Sequence, residues 1–192
     1  VVDTPQGRIV HTGDFKIDLT PVGQEIELSK IAKIGSEGVD LLLSDSTNAE
    51  SEGYTPSEKS VLNAINEIFD LAFGRVILST FSSNISRIQQ VVQVALAHNR
   101  YISIIGRSME KVFDLARKFG YILIPENRII PIEQVKMHKA NELCILCTGS
   151  QGESMAALTR IADNQHKDLT IQPGDTVVIS ASAIPGNGVF ID

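Results

Sequence analysis

Tryptophan is absent from the 192-residue chain, and aromatic residues make up only 5% of it. A core must therefore be aliphatic, built from Ile, Leu, Val and Ala. The 43% hydrophobic content is enough for one domain, or one and a piece. Positive charge is not in excess: 17 Lys and Arg stand against 23 Asp and Glu, for a net charge of -6. The total carries no basic footprint for nucleic acid, although a local basic cleft is compatible with it. No apolar run has membrane length and no signal peptide is visible, so the compartment expected is the cytoplasm. Cysteine is scarce. Cys144 and Cys147 form a C-x-x-C spacing inside the apolar run Leu143-Cys144-Ile145-Leu146-Cys147. Such a spacing can serve redox or zinc chemistry. On a strand, however, residues three apart face opposite ways, and no second pair completes a zinc site. A buried strand is the expectation. There is no H-x-H, no nucleophile elbow and no Walker loop, and Gly149-Ser150-Gln151-Gly152 is not a dinucleotide fingerprint.

What is present is an alternation of strand and helix patterns. Strands are expected at 8–12, 39–43, 75–79, 101–105, 144–148 and 177–180. The run 39–43 is continuously apolar, as in a sheet covered on both faces. Helical spacing covers 26–34, stopping at Gly35. It returns after Thr55-Pro56-Ser57-Glu58, which supplies a cap, Pro at the first helical position and Glu at the third. That helix runs to about Ala72 and Gly74 ends it. Further helices are expected at 85–98 behind Ser82-Ser83-Asn84, from the cap Ser108 to Lys118, and at 155–162. The fold class is α/β: a parallel sheet with helices on both faces, joined by right-handed crossovers. Residues 125–141 read as irregular, with a short extended piece near 128–132. Both ends read as cut, so a piece of a longer protein is expected.

Chemistry concentrates at the strand exits. Ile9-Val10-His11-Thr12-Gly13-Asp14 delivers Asp14 beyond a Gly turn, and Leu41-Leu42-Leu43-Ser44-Asp45 delivers Asp45 in the same way. The carboxyl edge of an open α/β sheet is where ligands bind. A carboxylate there suits a divalent metal or the orienting of a His, but it equally suits the capping of a turn. His11 is read as making a structural hydrogen bond, His98 and His138 as surface residues, and His166 as part of a polar stretch. The other exits are small and polar: Ser79-Thr80-Phe81-Ser82-Ser83-Asn84, Gly106-Arg107-Ser108, Thr148-Gly149-Ser150-Gln151 and Ser180-Ala181-Ser182-Ala183-Ile184-Pro185-Gly186-Asn187. Small residues and helix N-termini favour an anion, and Arg87 and Arg107 lie nearby. Together they suit phosphates. Helix capping and turn formation alone explain the same residue types.

His11-Thr12-Gly13-Asp14-Phe15-Lys16, Leu43-Ser44-Asp45-Ser46-Thr47-Asn48, Gly106-Arg107-Ser108-Met109-Glu110, Cys147-Thr148-Gly149-Ser150-Gln151-Gly152-Glu153 and Pro173-Gly174-Asp175-Thr176-Val177-Val178 occur in one order. In this the chain resembles the bacterial ribonuclease J family, of the metallo-β-lactamase superfamily and its β-CASP branch. The resemblance runs over essentially the whole chain and covers the middle of the family's catalytic core. It implies that residues 1–55 are part of a metallo-β-lactamase domain and 56–192 the β-CASP domain. It implies Asp14 as a catalytic ligand shared by two zinc ions, and Asp45 as a catalytic-edge carboxylate with an orienting role. It implies an RNA-clamping surface, to which Ser82, Ser83, Asn84, Arg87, Arg107, Ser108, Ser150 and Gln151 are assigned. The activity implied is zinc-dependent RNA hydrolysis, both 5′-to-3′ exonuclease and endonuclease, in RNA processing and decay. With few aromatics, backbone contacts to RNA should dominate over stacking.

The family's His-rich metal motif and its other His ligands are not in this sequence. One carboxylate does not hold a dinuclear site. The chain as given is therefore expected to be inactive and to bind no zinc by itself, with two ions in the full-length parent. Ser86 stands where relatives often carry His. The parent is expected to form homo- or hetero-oligomers, with RNA as partner and no membrane. A non-catalytic RNA-binding or assembly subunit is the alternative, and a Rossmann-like nucleotide-binding domain a third reading resting on fold analogy. Residues 1–55 are expected to be the less ordered part.

Overall fold

The computed structural model describes residues 1–21, 25–47 and 49–181. Asn48 and the exit stretch 182–187 lie outside them. The chain divides into two compact units, Val1–Val61 and Leu62–Asp192.

In the first unit, β1 (Val2–Thr4) pairs antiparallel with β2 (Gly7–His11), and β2 pairs parallel with β3 (Leu41–Leu43). Helix α1 (Leu28–Glu37) bridges β2 and β3 in sequence. It runs through Gly35, where the sequence suggested a stop, and ends at Gly38, whose φ of 91° only glycine adopts readily. The run at β3 also departs from expectation. It reads as a strand covered on both faces, yet Leu41, Leu42 and Leu43 stay 48%, 59% and 46% exposed. Apolar patterning reports an affinity for cover, and the described residues of this unit do not supply it.

Polar contacts hold the unit instead. Arg8 reaches Asp3 at 2.5 Å and Glu37 at 2.6 Å, and the Arg8 amide donates to Asp40 at 2.6 Å. Helix α2 (Glu58–Leu71) starts two residues later than Thr55-Pro56 suggests. Its first amide, of Glu58, donates to the Asp18 carboxylate at 2.8 Å, and Ser57 accepts from the Lys59 amide at 3.2 Å. The cap thus comes partly from a residue 40 positions away.

In the second unit, four strands form an all-parallel sheet flanked by helices: β4 (Val76–Ser79), β5 (Tyr101–Ile105), β6 (Leu143–Cys147) and β7 (Thr176–Ile179). Their spatial order is β5-β6-β4-β7. Every residue of β4 and β6 is buried, the polar Ser79 among them. Helix α3 (Ile85–Ala97) buries Ile88, Val91, Val92 and Ala95, and α4 (Arg107–Lys118) buries Met109, Phe113 and Ala116, both at helical spacing. Helix α5 (Ala157–Ala162) is short. The segment 125–141 folds into short 3₁₀ turns, and Ile129 bridges to Ile102 beside the edge strand β5. Cys144 and Cys147 are fully buried on β6, and burial pushes both thiols up to about 12, so they are inert protonated core residues.

Two arginines lock the near end of this sheet. The buried Arg100 guanidinium donates to the carbonyls of Ala72 at 2.7 Å, Gly74 at 2.7 Å and Leu143 at 3.0 Å, and lies over the Phe69 ring. Arg75 pairs with Asp175 and donates to the Thr170 carbonyl at 2.7 Å. Gly74 is needed here because a Cβ would stand 2.2 Å from the Gly174 carbonyl oxygen.

Candidate functional site

The far, carboxyl ends of the strands carry the candidate residues in both units. In the first unit, His11, Gly13, Asp14, Leu43, Ser44 and Asp45 line one cleft of about 420 Å³. Parallel pairing of β2 with β3 brings this about. His11 stands opposite Leu43, so both chains leave the sheet at the same level and their carboxylates follow within a few residues. The His11 ring accepts the Gly13 amide through Nδ1 at 2.9 Å, the structural bond expected of it. Gly13 itself has φ of 62°, the left-handed turn that redirects the chain and leaves Asp14 exposed.

Asp45 is half-buried and caps its own turn. Its Oδ1 accepts the Thr47 amide at 3.0 Å and the Thr47 hydroxyl at 2.6 Å. The hydroxyl bond, with the amide bond behind it, holds this carboxyl below the usual carboxylate range. Asp45 thus caps its turn and also lines the cleft. Among the described residues, no group of three His, Cys, Asp or Glu side chains is placed to hold a metal ion. Asp14 is one exposed carboxylate, and the described residues do not compose a complete zinc site.

In the second unit the β4 exit is bracketed by its neighbours. The Thr80 amide donates to Cys147 at 3.3 Å and its hydroxyl to the Ser180 carbonyl at 3.2 Å, while the Ser180 amide donates to Ser79 at 2.8 Å. The connections after β4 and β6 leave in opposite directions across the sheet, toward β5 and β7, a switch point of the kind that opens ligand crevices.

The eight residues assigned to RNA divide here. Ser83, Arg107 and Ser108 are exposed and Ser82 is half-buried. Asn84 caps α3, accepting the Arg87 amide at 3.0 Å. Arg87 is buried, not surface-facing as expected, and donates to the Ser180 hydroxyl at 2.5 Å, so its charge ties α3 to the β7 exit. Ser150 and Gln151 are also buried, at 2% and 3% exposure. The reason is Gly149, whose φ of 112° folds the β6 exit inward; a Cβ there would stand 2.9 Å from Leu158. Ser108 is not the cap of α4. Gly106 is, and Ser108 sits inside the first turn.

Arg107 and Ser108 share a cleft of about 780 Å³ with Thr148, Arg160, His166 and Lys167. The last three were not singled out for this role. The cleft also carries Glu110, Glu133, Glu153 and Asp168, so its charge is mixed. Burial holds His166 below the usual imidazole value. The only hint in the sequence was the basic pair His166-Lys167 after a short helix, and nothing local indicates that it folds back to the β5 exit. His98 and His138 are half-buried, packed on Phe69 and Tyr101, and are not free surface residues.

The parallel sheet, its flanking helices and the polar carboxyl edge define an α/β domain of the β-CASP type, and the comparisons agree. The family described as "Ribonuclease J, beta-CASP domain" matches residues 73–192. The chain is 51% identical to "Ribonuclease J 1" of Streptococcus pyogenes over 192 residues, 100% of this chain and 34% of that protein. It is 51% identical to "Ribonuclease J" of Helicobacter pylori over 187 residues, 97% of this chain and 27% of that protein. It is 48% identical to "Ribonuclease J2" of Bacillus subtilis over 184 residues, 95% of this chain and 33% of that protein. The chain belongs to the ribonuclease J family, as part of its catalytic core that includes the β-CASP domain. It spans about a third of the length of these relatives.

Proposed function

We propose that this chain is part of a zinc-dependent ribonuclease that processes and degrades RNA by 5′-to-3′ exonuclease and endonuclease action. The observation that carries the reading is the convergence of Asp14 and Asp45 on one cleft at the exits of paired strands, in a chain about half identical to proteins named ribonuclease J. In this reading Asp14 contributes one ligand to a metal whose remaining ligands lie outside this sequence. The metal, when bound, would activate water toward a phosphodiester. Asp45 stays ionised against its turn and orients its neighbours. In the second unit, Ser82, Ser83, Arg107 and Ser108 offer hydroxyls and one guanidinium to the phosphates of single-stranded RNA, while Asn84, Arg87, Ser150 and Gln151 hold the exits in shape. Residues 1–55 belong, in this reading, to the metallo-β-lactamase part and 56–192 to the β-CASP part. The reading carries a cytoplasmic location and an oligomeric parent, and no described helix is long and apolar enough to cross a membrane.

The test is zinc content and RNA hydrolysis by the protein that carries this chain with the flanking regions its relatives possess, beside Asp14→Ala. Joint loss of metal and activity supports the reading. A parent that binds RNA but neither binds zinc nor cleaves would replace it with a non-catalytic RNA-binding or assembly subunit.

A further inference from the structure

We infer that Thr12 is a positioning residue whose hydroxyl links the turn carrying Asp14 to the loop carrying Asp45. This rests on the reading of those two carboxylates given above. Three contacts carry it. The Thr12 hydroxyl donates to the Gly13 carbonyl at 2.7 Å. The same oxygen accepts the Asp45 amide at 3.0 Å, across 33 positions of sequence. The Thr12 amide donates to the Leu43 carbonyl at 3.0 Å, extending the β2–β3 pairing by one residue.

A hydroxyl has one donor and two acceptor sites, so it can serve both partners at once, and here it does. The Gly13 peptide is then held from two sides, its amide by His11 and its carbonyl by Thr12. Asp45 is held by its backbone amide from Thr12 and through its carboxylate by Thr47. The link ties the peptide that precedes Asp14 to the backbone of Asp45. A β-branched residue adds stiffness at χ1, which serine would lack. Thr12 is half-buried behind the cleft that His11, Gly13, Asp14 and Asp45 line, so its part is to hold the two exit backbones in register.

The test uses the protein with its flanking regions and a single-stranded RNA oligonucleotide, comparing Thr12→Val, Thr12→Ser and Asp14→Asn. Valine keeps the branched shape and removes the hydroxyl. The expected result is a fall in kcat on the order of 10²-fold for Thr12→Val, since small misplacements of reacting groups cost that much. KM should stay within about twofold, because the change does not remove a substrate contact. Thr12→Ser should restore most of the rate. Amide exchange at Asp45 should quicken in Thr12→Val and return in Thr12→Ser, a readout that does not depend on activity. Unchanged Asp45 exchange in Thr12→Val overturns the inference, whether or not the variant is less stable. So does a serine variant as slow as the valine one, or a defect confined to KM. If Asp14→Asn abolishes hydrolysis while Thr12→Val does not, the inference alone falls. If Asp14→Asn is fully active, the reading of the site falls with it.

Discussion

The two units differ in how much their described residues bury. Between residues 1 and 61 no described residue is fully buried, and the contacts that give shape are Arg8 with Asp3 and Glu37, Asp18 with the α2 start, and Thr12 with Asp45. From Ile65 onward the chain buries a continuous aliphatic core, with Ile77, Leu78, Ile145 and Leu146 wholly enclosed. The first unit has comparable apolar side chains in β3 but leaves them about half exposed. Apolar strands become core where other elements cover them, and the described residues of this chain, about a third of its relatives' length, do not cover β3. Hydrogen bonds and surface ion pairs can define a shape without supplying much stability.

That contrast can be broken most directly with two matched truncations. Ile145→Ala, at the centre of the four-stranded sheet, should cost about 3 kcal/mol by urea unfolding, within the range known for buried aliphatics. Leu42→Ala in β3 should cost about 0.5 kcal/mol or less, as expected at an exposed position. Equal losses would erase the distinction between the units.

A smaller effect is expected from polar atoms inside the second unit. Arg100→Met should destabilise by about 2 kcal/mol, because the carbonyls of Ala72, Gly74 and Leu143 lose a charged donor in a buried place. A stability equal to the parent would mean that the aliphatic core alone holds this end of the sheet. Gly74→Ala tests the same corner sterically. Its Cβ would overlap the Gly174 backbone, and a loss of about 1–2 kcal/mol, seen as a lower Tm, is expected.

The smallest effect belongs to the first unit and depends on pH. The Glu58 amide, with lesser help from Thr20 and Ser57, holds the Asp18 carboxyl below its ordinary value. A depressed native pKa stabilises fully above the unfolded value of about 3.9 and is lost as pH falls through the native one. Following the Asp18 carboxyl carbon and the Glu58 amide by NMR from neutral pH downward should give a shared midpoint below the ordinary aspartate value. Early release of the Glu58 amide, with Asp18 titrating normally, would show that the cap is not held by charge.

Much of the second unit was legible before folding was considered. The sequence pattern delimits β5 to the residue and β4 and β6 to within one, because largely buried parallel strands are mostly apolar and Gly or Asn stands close to their starts or ends. Helix α3 was legible from its period and its Asn84 cap. Other features were not, because they depend on residues far apart. The Asp18 cap lies 40 positions from the amide it serves, and the Arg100 clamp gathers three carbonyls from two segments. The burial of Arg87, Ser150 and Gln151 was also hidden. A polar residue at a strand exit has the same local pattern whether it faces water or is folded inward.

The sequence by itself determined the α/β alternation, the aliphatic character of the core, the inert setting of Cys144 and Cys147, and the delivery of Asp14 and Asp45 to strand exits. These follow from periodicity, composition and turn chemistry, which act over a few residues. Only the tertiary structure decided which exits share a cleft, which polar residues face outward, and that one threonine hydroxyl links the Gly13 carbonyl to the Asp45 amide. Those outcomes depend on strand order and register, which arise when distant segments pair, and no local pattern encodes the pairing.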